Sequence, residues 1–553
     1  MFRNLMKFLA LALFLSTAAV PAAVKLPPLF SDGMVLQRDC PVPIWGEADP
    51  GEEVVVEFAG QSLPAVADAL GRWLVRLAPL PASSEARELS VRGSNALSVR
   101  NVVVGDIWLA SGQSNMASPL SSGSAAEALP GSADPLLRFF TVTRGVSAEP
   151  LTAVAGKWEA SDPSVAGNFS AVAYFFAREL RRTQDVPVAI INSSWGGTPI
   201  RTWMSLASLQ SDPPLTKLLL EWESALARHR LAVGQPERLQ EYYREMKEWE
   251  QQVDVPFRAA RKAHEAAVAA AKASGQPVPP APKPERPEPE MPDPIAMPAS
   301  SKRPSVPTVT YNAMIAPLAP FALKGVLWYQ GEADVSRGRE YRDLLPRLIG
   351  GWRAAWDQKD LPFLIVQLPG NGRNSGPAGN PAIAFLREAQ SMALRLPATG
   401  MAVTLDIGDA SDVHPDNKVH VGQRLSLLAR EMVYREDVIG SGPVYRDHAV
   451  NGSEVRVRFD RIGGGLAVGN PPWRAKGAEV LPSDRIVGFS VAGEDRKWFD
   501  AEARLDGDAV IVTSSSVPAP VAVRYGWGET PSVNLANREG LPAAPFRTDD
   551  WDL

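Results

Sequence analysis

The chain has 553 residues, too many for one hydrophobic core, which predicts about two to four domains. Its 45% hydrophobic and 22% charged content is ordinary for a globular protein. The net charge of −5, with both signs mixed, argues against nucleic acid as a partner, because phosphate binding needs a clustered basic face. Cys40 is the single cysteine, so an intrachain disulfide cannot form. Thiol catalysis and a zinc site built from histidine and cysteine ligands are not expected either.

Residues 1–22 have the features of a signal peptide. Arg3 and Lys7 form a positive start, Phe8 to Leu15 form an apolar centre, and Val20-Pro21-Ala22 forms a small-residue cleavage site. The apolar run is too short to cross a bilayer, and no later segment reaches the necessary ~20 apolar residues. We therefore expect a periplasmic or secreted protein that has no membrane contact after signal removal.

Residues 23–100 have the pattern of a small β-sandwich domain. Short alternating stretches such as Val54 to Phe58 and Trp73 to Leu77 are separated by glycine and proline. Strand-like runs return after Asp437, so a second β domain is predicted for residues 437–553. No internal repeat is evident.

Residues 101–436 alternate between strand and helix. Val188 to Asn192 and Lys324 to Trp328 are apolar strand-like runs, and Tyr174 to Arg182 has a helical pattern. This alternation predicts an α/β catalytic domain with a parallel sheet and helices on both faces. Ligands of such sheets bind beyond the carboxyl ends of the strands.

Residues 211–307 interrupt the α/β pattern as an insertion. Leu218 to Ala271 is rich in Ala, Glu, Arg and Lys and predicts one or two long amphipathic helices. Pro277 to Pro307 is proline-dense and is predicted to be extended or mobile rather than packed. The insertion is either a tolerated surface addition or a lid over the active site.

Ser114 lies in the run Gly105 to Met116, where an apolar strand ends abruptly in small and polar residues. Such a turn exposes a hydroxyl and leaves neighbouring backbone N–H groups available for a ligand. The spacing differs from the Gly-x-Ser-x-Gly elbow of α/β-hydrolases, because Met116 stands where the second glycine would be. Ser114 is therefore a candidate nucleophile that needs a base and oxyanion donors from elsewhere.

His414 is the candidate base among five histidines, the others being His229, His264, His420 and His448. It follows an apolar strand and precedes a proline, which predicts a loop at the carboxyl end of that strand. Asp412 is the local candidate for holding the imidazole tautomer and stabilising the imidazolium. Asp406 and Asp409 are rivals, and structuring of the loop's own turns is an alternative role for all three.

Oxyanion donors are expected from three places. These are the backbone N–H of Ser114, the paired glycines Gly196 and Gly197 after a strand, and the side-chain amide of Gln330. A tight turn would explain the paired glycines equally well. Glu332 is counted among substrate-binding candidates, although it also fits a helix cap or a support for its neighbours.

These segments together resemble the SGNH hydrolase superfamily and, within it, the sialate O-acetylesterase family of carbohydrate esterases. The stretches that carry the resemblance are Ser111 to Met116, Trp195 to Ile200, Trp328 to Glu332, Asp412 to Pro415, Tyr311 to Leu318 and Asn537 to Arg547. The resemblance covers nearly the whole chain outside the insertion and the signal peptide.

The resemblance implies an SGNH-type fold, Ser114 as nucleophile, His414 as base, and Ser114 N–H, a glycine N–H and Gln330 as oxyanion donors, without a metal or organic cofactor. Two positions depart from the family pattern. Ser411 stands three residues before the histidine, where the superfamily usually has its acid, so a backbone carbonyl is an alternative to Asp412. Asp334 stands where Ser-Asn is expected after Gln-Gly-Glu.

The expected function is release of acetate from an O-acetylated sugar or glycan through a serine acyl-enzyme, as in a sialate 9-O-acetylesterase. Arg201 is the candidate for binding a sialate carboxylate, with a surface arginine as the alternative. Plant-wall xylan or xyloglucan would need aromatic platforms instead, with Trp195, Trp203 and Trp328 as candidates. A non-catalytic carbohydrate-binding protein is the alternative of another class, and the sequence leaves the oligomeric state open.

Overall fold

The computed structural model describes residues 23–299, 302–372, 382–469 and 481–551. The predicted signal peptide at residues 1–22 lies outside the described residues and stays a prediction. Within the described ranges, no helix has the length and apolar character needed to cross a bilayer.

The first part of the chain is built from strands with alternating burial. The strands are β1 (Val35–Gln37), β2 (Val42–Glu47), β3 (Glu53–Phe58), β4 (Gln61–Val66), β5 (Arg72–Leu77), β6 (Ser83–Arg92) and β7 (Ala96–Gly112). In β5 the side chains of Trp73, Val75 and Leu77 are buried and the residues between them are exposed, as expected for a strand with one solvated face. β2 pairs with β5, whereas β3, β4 and β6 join β7 in a separate sheet.

Strand β7 connects the two parts of the molecule. Its first residues pair antiparallel with β6, and its last seven pair parallel with a strand of the central sheet. The predicted boundary between residues 100 and 101 therefore falls inside one continuous strand. At this point Asn101 has a φ of +55°, a left-handed backbone conformation that asparagine tolerates. Arg138 donates to Asn101 O at 2.6 Å and to Gly33 O at 2.8 Å, which holds the bend.

The central sheet has the order β13-β12-β11-β7-β10-β8-β9. Its further strands are β8 (Asp134–Thr141), β9 (Trp158–Ser161), β10 (Val188–Ser194), β11 (Gly325–Tyr329), β12 (Phe363–Val366) and β13 (Thr399–Ala402). All neighbours pair parallel except β8 and β9, which pair antiparallel. Strands β10 to β13 are buried throughout, as expected when both faces of a parallel sheet are covered.

Helices flank this sheet. They are α1 (Ser114–Ala117), α2 (Ala171–Gln184), α3 (Leu206–Gln210), α7 (Val309–Met314), α8 (Tyr341–Ala355), α9 (Ala382–Met392) and α10 (Val419–Met432), numbered around three insertion helices α4 to α6 given below. Helices α2 and α10 pack closely because Gly422 has no side chain. A Cβ there would lie 2.7 Å from both Phe175 Cβ and Val172 O.

In its described residues, the insertion contains three α-helices rather than the one or two predicted. These are α4 (Thr216–Ala232), α5 (Pro236–Trp249) and α6 (Val255–Ser274), with a π-helical turn at Glu250–Asp254 joining the last two. Part of the proline-rich segment is packed, contrary to expectation, because Ile295 is buried with Trp222 and both Asp293 oxygens lie 2.9 Å from His229 Nδ1.

The last part of the chain forms β-sheets. Its strands are β14 (Val444–Asn451), β15 (Glu454–Asp460), β16 (Leu466–Val468), β17 (Phe489–Ala492), β18 (Trp498–Asp500), β19 (Glu502–Asp506), β20 (Ala509–Thr513), β21 (Ala522–Tyr525), β22 (Leu535–Asn537) and β23 (Phe546–Arg547). The two larger sheets have the orders β14-β15-β20-β19 and β18-β17-β21-β23. The rings of Phe489, Tyr525 and Phe546 pack together in their core.

Arg387 of α9 joins the catalytic sheet to this last part. Its buried guanidinium donates to four carbonyl oxygens, those of Leu368, Pro369, Gly528 and Glu529, at 2.6 to 2.9 Å. A buried carbonyl that loses its donor costs free energy, so one side chain stabilises the contact between two regions of the chain.

We expect the substitution Arg387→Met to lower the free energy of unfolding by more than about 3 kcal/mol, because it leaves four carbonyls unpaired. Urea unfolding followed by tryptophan fluorescence measures this change. The matched control Arg395→Met removes an exposed arginine nearby in sequence and should stay within about 0.5 kcal/mol of the wild type. Equal stability of the two variants would contradict the bridging role.

Candidate active site

Ser114 is the first residue of α1 and directly follows the central strand. Gly112, which ends β7, has a φ of +132°, and a Cβ at this position would lie 2.1 Å from Tyr329 O. Only glycine therefore fits between β7 and β11 at this point. The next backbone N–H, from Gln113, donates to Tyr329 O at 3.0 Å. This turn places the Ser114 side chain at the carboxyl edge of the sheet.

His414 reaches Ser114 from the loop between β13 and α10. The distance from His414 Nε2 to Ser114 Oγ is 2.9 Å, although the two residues are 300 positions apart in the chain. The histidine side chain is 49% exposed, so the pair is open to solvent and to a large substrate. A hydroxyl and an imidazole at this distance can exchange a proton.

Asp412 is the carboxylate nearest to the imidazole, but the contact is loose. Its Oδ1 lies 3.6 Å from His414 Nδ1 and accepts the backbone N–H of His414 at 2.8 Å. The rivals are engaged elsewhere: Asp406 forms a bidentate pair with Arg424, and Asp409 accepts from the N–H and hydroxyl of Ser411. Asp412 thus structures the turn as well as facing the imidazole.

The paired glycines form a wall beside Ser114. A Cβ at Gly196 would lie 3.2 Å from Ser114 Cβ and 3.4 Å from Ser114 Cα, so this backbone lies directly against the serine. Gly197 has a φ of +75°, and a Cβ there would lie 2.9 Å from Arg303 Cγ. Arg303, at the end of the insertion, therefore covers the turn beside the serine.

Gln330 supports the site from below rather than lining it. The residue is fully buried, and its Nε2 lies within hydrogen-bond distance of Asp334 Oδ2 (2.7 Å), Thr198 O (3.1 Å) and Gln113 Oε1 (3.2 Å). Its Oε1 accepts from the Tyr341 hydroxyl at 2.8 Å. The two amide hydrogens of Gln330 thus already have three acceptors within hydrogen-bond distance. The expectation that Gln330 donates to an oxyanion is therefore not supported by this arrangement.

Glu332 is also turned inward rather than towards a substrate. Its Oε1 accepts from Asn115 Nδ2, and its Oε2 is buried with no hydrogen-bond partner among the described residues. Burial raises the pKa of the Glu332 carboxyl, and the hydrogen bond from Asn115 and the charge of Lys418 oppose this rise. The expected substrate contact of Glu332 is not present in this arrangement.

The three candidate aromatic platforms are buried. Trp195 is 5% exposed, and Trp328 and Trp203 are 1% and 0% exposed. The rings of Trp203 and Trp328 meet edge to face with centroids 6.2 Å apart, within the core. The expectation that these residues stack against a sugar is wrong, because the strand and turn that carry them point their rings into the fold.

The side chain of Arg201 binds residues of the insertion and makes no described contact with Ser114 or His414. Its Nε donates to Ser305 O at 2.8 Å and lies 3.8 Å from Glu221 Oε2 of α4. Burial lowers its pKa, and the nearby Arg337 contributes to this. The expected carboxylate-binding role of Arg201 is therefore not supported, because both of its contacts belong to the insertion.

Two residues that sequence reasoning left without a role also belong to the site. Asn115 is fully buried, and Lys418 is 4% exposed. Lys418 Nζ donates to Asn115 Oδ1 at 2.6 Å and to Pro415 O at 2.7 Å. A lysine four positions after the candidate base was visible in the sequence, but only the packing of α10 turns it inward.

Known proteins resemble this chain over most of its length. A family model described as carbohydrate esterase, sialic acid-specific acetylesterase, matches residues 301–432. The sialate O-acetylesterase of Mus musculus is 31% identical over 565 aligned positions, covering 93% of this chain and 92% of that protein. A carbohydrate acetylesterase from Xanthomonas citri has a solved structure with a TM-score of 0.75 and 37% identity, covering 96% of this chain and 100% of that one.

The sheet, the serine–histidine pair and these similarities together define the class of the carbohydrate esterases. Within that class the chain belongs to the sialate O-acetylesterase family.

The long distance between Asp412 and the imidazole of His414 leads to a testable prediction. We expect Asp412→Asn to lower kcat by about 10-fold, well below the ~10⁴-fold of a buried triad aspartate, because the carboxylate is exposed and lies beyond hydrogen-bond distance. Asp409→Asn is the matched control in the same loop and should stay within about two-fold. Initial rates with p-nitrophenyl acetate measure both, and equal rates for the two variants would leave the imidazole without a carboxylate partner.

Proposed function

We propose that this protein is a serine acetylesterase that removes O-acetyl groups from carbohydrates. The proposal rests on the 2.9 Å contact between Ser114 Oγ and His414 Nε2 at the carboxyl edge of the sheet, beside the glycine wall. This is the arrangement of a nucleophile and its base, and membership of the sialate O-acetylesterase family agrees with it.

In the first half-reaction Ser114 Oγ attacks the acetyl carbonyl carbon while His414 Nε2 takes the hydroxyl proton. The carbonyl oxygen becomes an oxyanion, and the tetrahedral intermediate then collapses as the bond to the sugar oxygen breaks. His414 returns its proton to this oxygen, so that the sugar leaves with a free hydroxyl and Ser114 carries the acetyl group.

In the second half-reaction a water molecule replaces the sugar. His414 takes a proton from the water, whose oxygen attacks the acetyl carbon and forms a second tetrahedral intermediate. The bond to Ser114 Oγ breaks, His414 returns the proton to the serine, and acetic acid leaves and loses its remaining proton to the solvent as acetate. Atoms and charges balance without a metal or an organic cofactor.

The backbone N–H groups of Ser114 and of the glycine turn are the proposed oxyanion donors. Ser114 is the first residue of a helix, where the N–H groups lack intrahelical acceptors. The bare Cα of Gly196 lies against the serine and lets the turn approach the reacting carbon. Asp412 is proposed to stabilise the imidazolium electrostatically. The parallel central sheet, with Ser114 and His414 at its carboxyl edge, supports our assignment of this sheet to the SGNH type.

The proposed substrate is an O-acetylated sialic acid. Arg303 supports this choice, because its exposed side chain packs over Gly197 beside the proposed nucleophile. A guanidinium recognises a carboxylate through paired hydrogen bonds. A sialic acid has such a carboxylate, whereas a neutral xylan or xyloglucan has none. Arg303 takes the role that the sequence suggested for Arg201.

We further propose that the protein works in the periplasm or outside the cell. The positive start, the apolar centre and the cleavage site in residues 1–22 support export.

Ser114→Ala tests the proposed mechanism. We expect kcat for p-nitrophenyl acetate to fall by at least about 10⁴-fold, since nucleophile and base act as one unit. Thermal unfolding should stay unchanged, because the hydroxyl lies at an exposed edge. Unchanged turnover in a folded variant would remove Ser114 from the mechanism, and a wild type without esterase activity would favour a carbohydrate-binding protein.

Arg303→Ala tests the proposed substrate. We expect KM for acetylated sialic acid to rise about 10-fold or more, since hydrogen bonds between charged groups contribute about 1.5–3 kcal/mol. KM for p-nitrophenyl acetate and acetylated xylan should not change. Arg286→Ala removes another exposed arginine of the same insertion and serves as control. An acetate-release assay that finds activity on xylan or xyloglucan alone would replace sialate as the substrate.

A further inference from the structure

The backbone on both sides of His414 is held by buried side chains. Val413 O accepts from Asn115 Nδ2 at 3.0 Å, and Pro415 O accepts from Lys418 Nζ at 2.7 Å. Val413 and Pro415 are the residues directly before and after the histidine. Their carbonyl contacts therefore restrict the backbone from which the imidazole projects.

The same two side chains connect this loop to the nucleophile. Lys418 Nζ also donates to Asn115 Oδ1 at 2.6 Å, and Asn115 is the residue that follows Ser114. A closed set of hydrogen bonds thus runs from the serine helix to both carbonyls beside the histidine. It fixes the distance between the two proposed reacting groups without using either of their side chains.

The set is buried, in contrast to the catalytic pair. Asn115 is fully buried and Lys418 is 4% exposed, whereas the His414 side chain is 49% exposed. Burial of an ammonium group costs free energy unless charge and hydrogen bonds compensate it. The charged groups that act on Lys418 are Glu332, from the turn after β11, and Asp412 and Asp416, from the histidine loop.

The loose contact between Asp412 and the imidazole leaves the orientation of His414 to other groups. An exposed carboxylate 3.6 Å from Nδ1 is screened by water and makes no hydrogen bond at that distance. The contacts to Val413 O and Pro415 O are 3.0 and 2.7 Å long, and both are donated by buried side chains. Together with the hydrogen bond from the His414 N–H to Asp412 Oδ1, they restrain the backbone that carries the base.

We propose that Lys418 and Asn115 are positioning residues that hold His414 within reach of Ser114. This inference rests on the proposed function, since it assigns the means by which that serine–histidine pair is kept together. Neither residue touches the reacting atoms. Both act through the backbone beside the base, so their loss should lower kcat and the reactivity of Ser114 and leave KM nearly unchanged.

The charge of Lys418 adds a pH dependence. Burial lowers the pKa of Lys418 to about 8, and the carboxylates of Glu332, Asp412 and Asp416 oppose this fall. The ammonium is present below this pKa and is lost as the pH rises through it, which removes the charge that compensates Glu332. We therefore expect kcat to decline on the alkaline side, as the pH rises through the pKa of Lys418.

The variants Lys418→Met, Lys418→Arg and Asn115→Ala test the inference in the full-length protein. We expect Lys418→Met and Asn115→Ala to lower both kcat for p-nitrophenyl acetate and the rate of Ser114 labelling by a fluorophosphonate by about 10²-fold, the cost of misplacing a catalytic group by about 1 Å. KM should stay within about two-fold. Lys418→Arg should retain more activity than Lys418→Met and lose the alkaline decline, because arginine stays charged.

Lys324→Met is the matched control. Lys324 is a partly buried lysine whose Nζ lies 3.7 Å from the buried carboxylate of Asp106, but it precedes β11 at the opposite end of that strand from Gln330. Its loss should change the unfolding temperature and leave the labelling rate and the pH profile of kcat unaffected. Circular dichroism confirms that each variant is folded, and Asn115→Ala provides the test if Lys418→Met does not fold.

Two outcomes would overturn the inference. One is labelling of Ser114 at the wild-type rate in folded Lys418→Met or Asn115→Ala, and the other is a Lys418→Arg pH profile identical to that of the wild type. Failure of the proposed function would look different. In that case the wild-type serine would resist the fluorophosphonate and Ser114→Ala would retain its activity.

Discussion

The contact between Ser114 Oγ and His414 Nε2 depends on the parallel pairing of the central sheet. Strands β7 and β13 lie three places apart in the sheet order and run in the same direction, so their carboxyl ends meet at one edge. The turn after β7 presents the serine there, and the loop after β13 presents the histidine. Residues 300 positions apart come within 2.9 Å because the sheet fixes where both loops begin.

The site combines an exposed serine–histidine pair with a buried support. Gln113 Oε1 accepts from Gln330 Nε2 and from the backbone N–H of Ala333, which ties the turn after β7 to the turn after β11. Asp334 Oδ2 accepts from Gln330 and from the N–H of Ile200, which adds the glycine turn. Three loops are thus held together by polar groups shielded from water, where hydrogen bonds are stronger and unpaired groups are costly. The loops of a solvent-exposed site can therefore still be held in fixed positions by buried hydrogen bonds.

The insertion is attached to the active site rather than added at a distance from it. Arg201, directly after the glycine turn, binds Ser305, and Arg303 lies over Gly197. Its helices and the proline-rich segment are joined through the contact of His229 with Asp293. The insertion therefore reaches the proposed substrate side of the site, where it contributes a positive charge.

Local pattern alone predicted the alternation of strands and helices in residues 101–436 and the candidates Ser114 and His414. Alternation and apolar runs report burial directly, and an abrupt change to small polar residues after a strand marks an exposed turn. The inward positions of Trp328, Glu332, Gln330 and Lys418 were decided only by tertiary packing. The local sequence allows each of these side chains to be either exposed or buried. Their hydrogen-bond and packing partners come from distant segments, so burial depends on the neighbours that the sheet brings together.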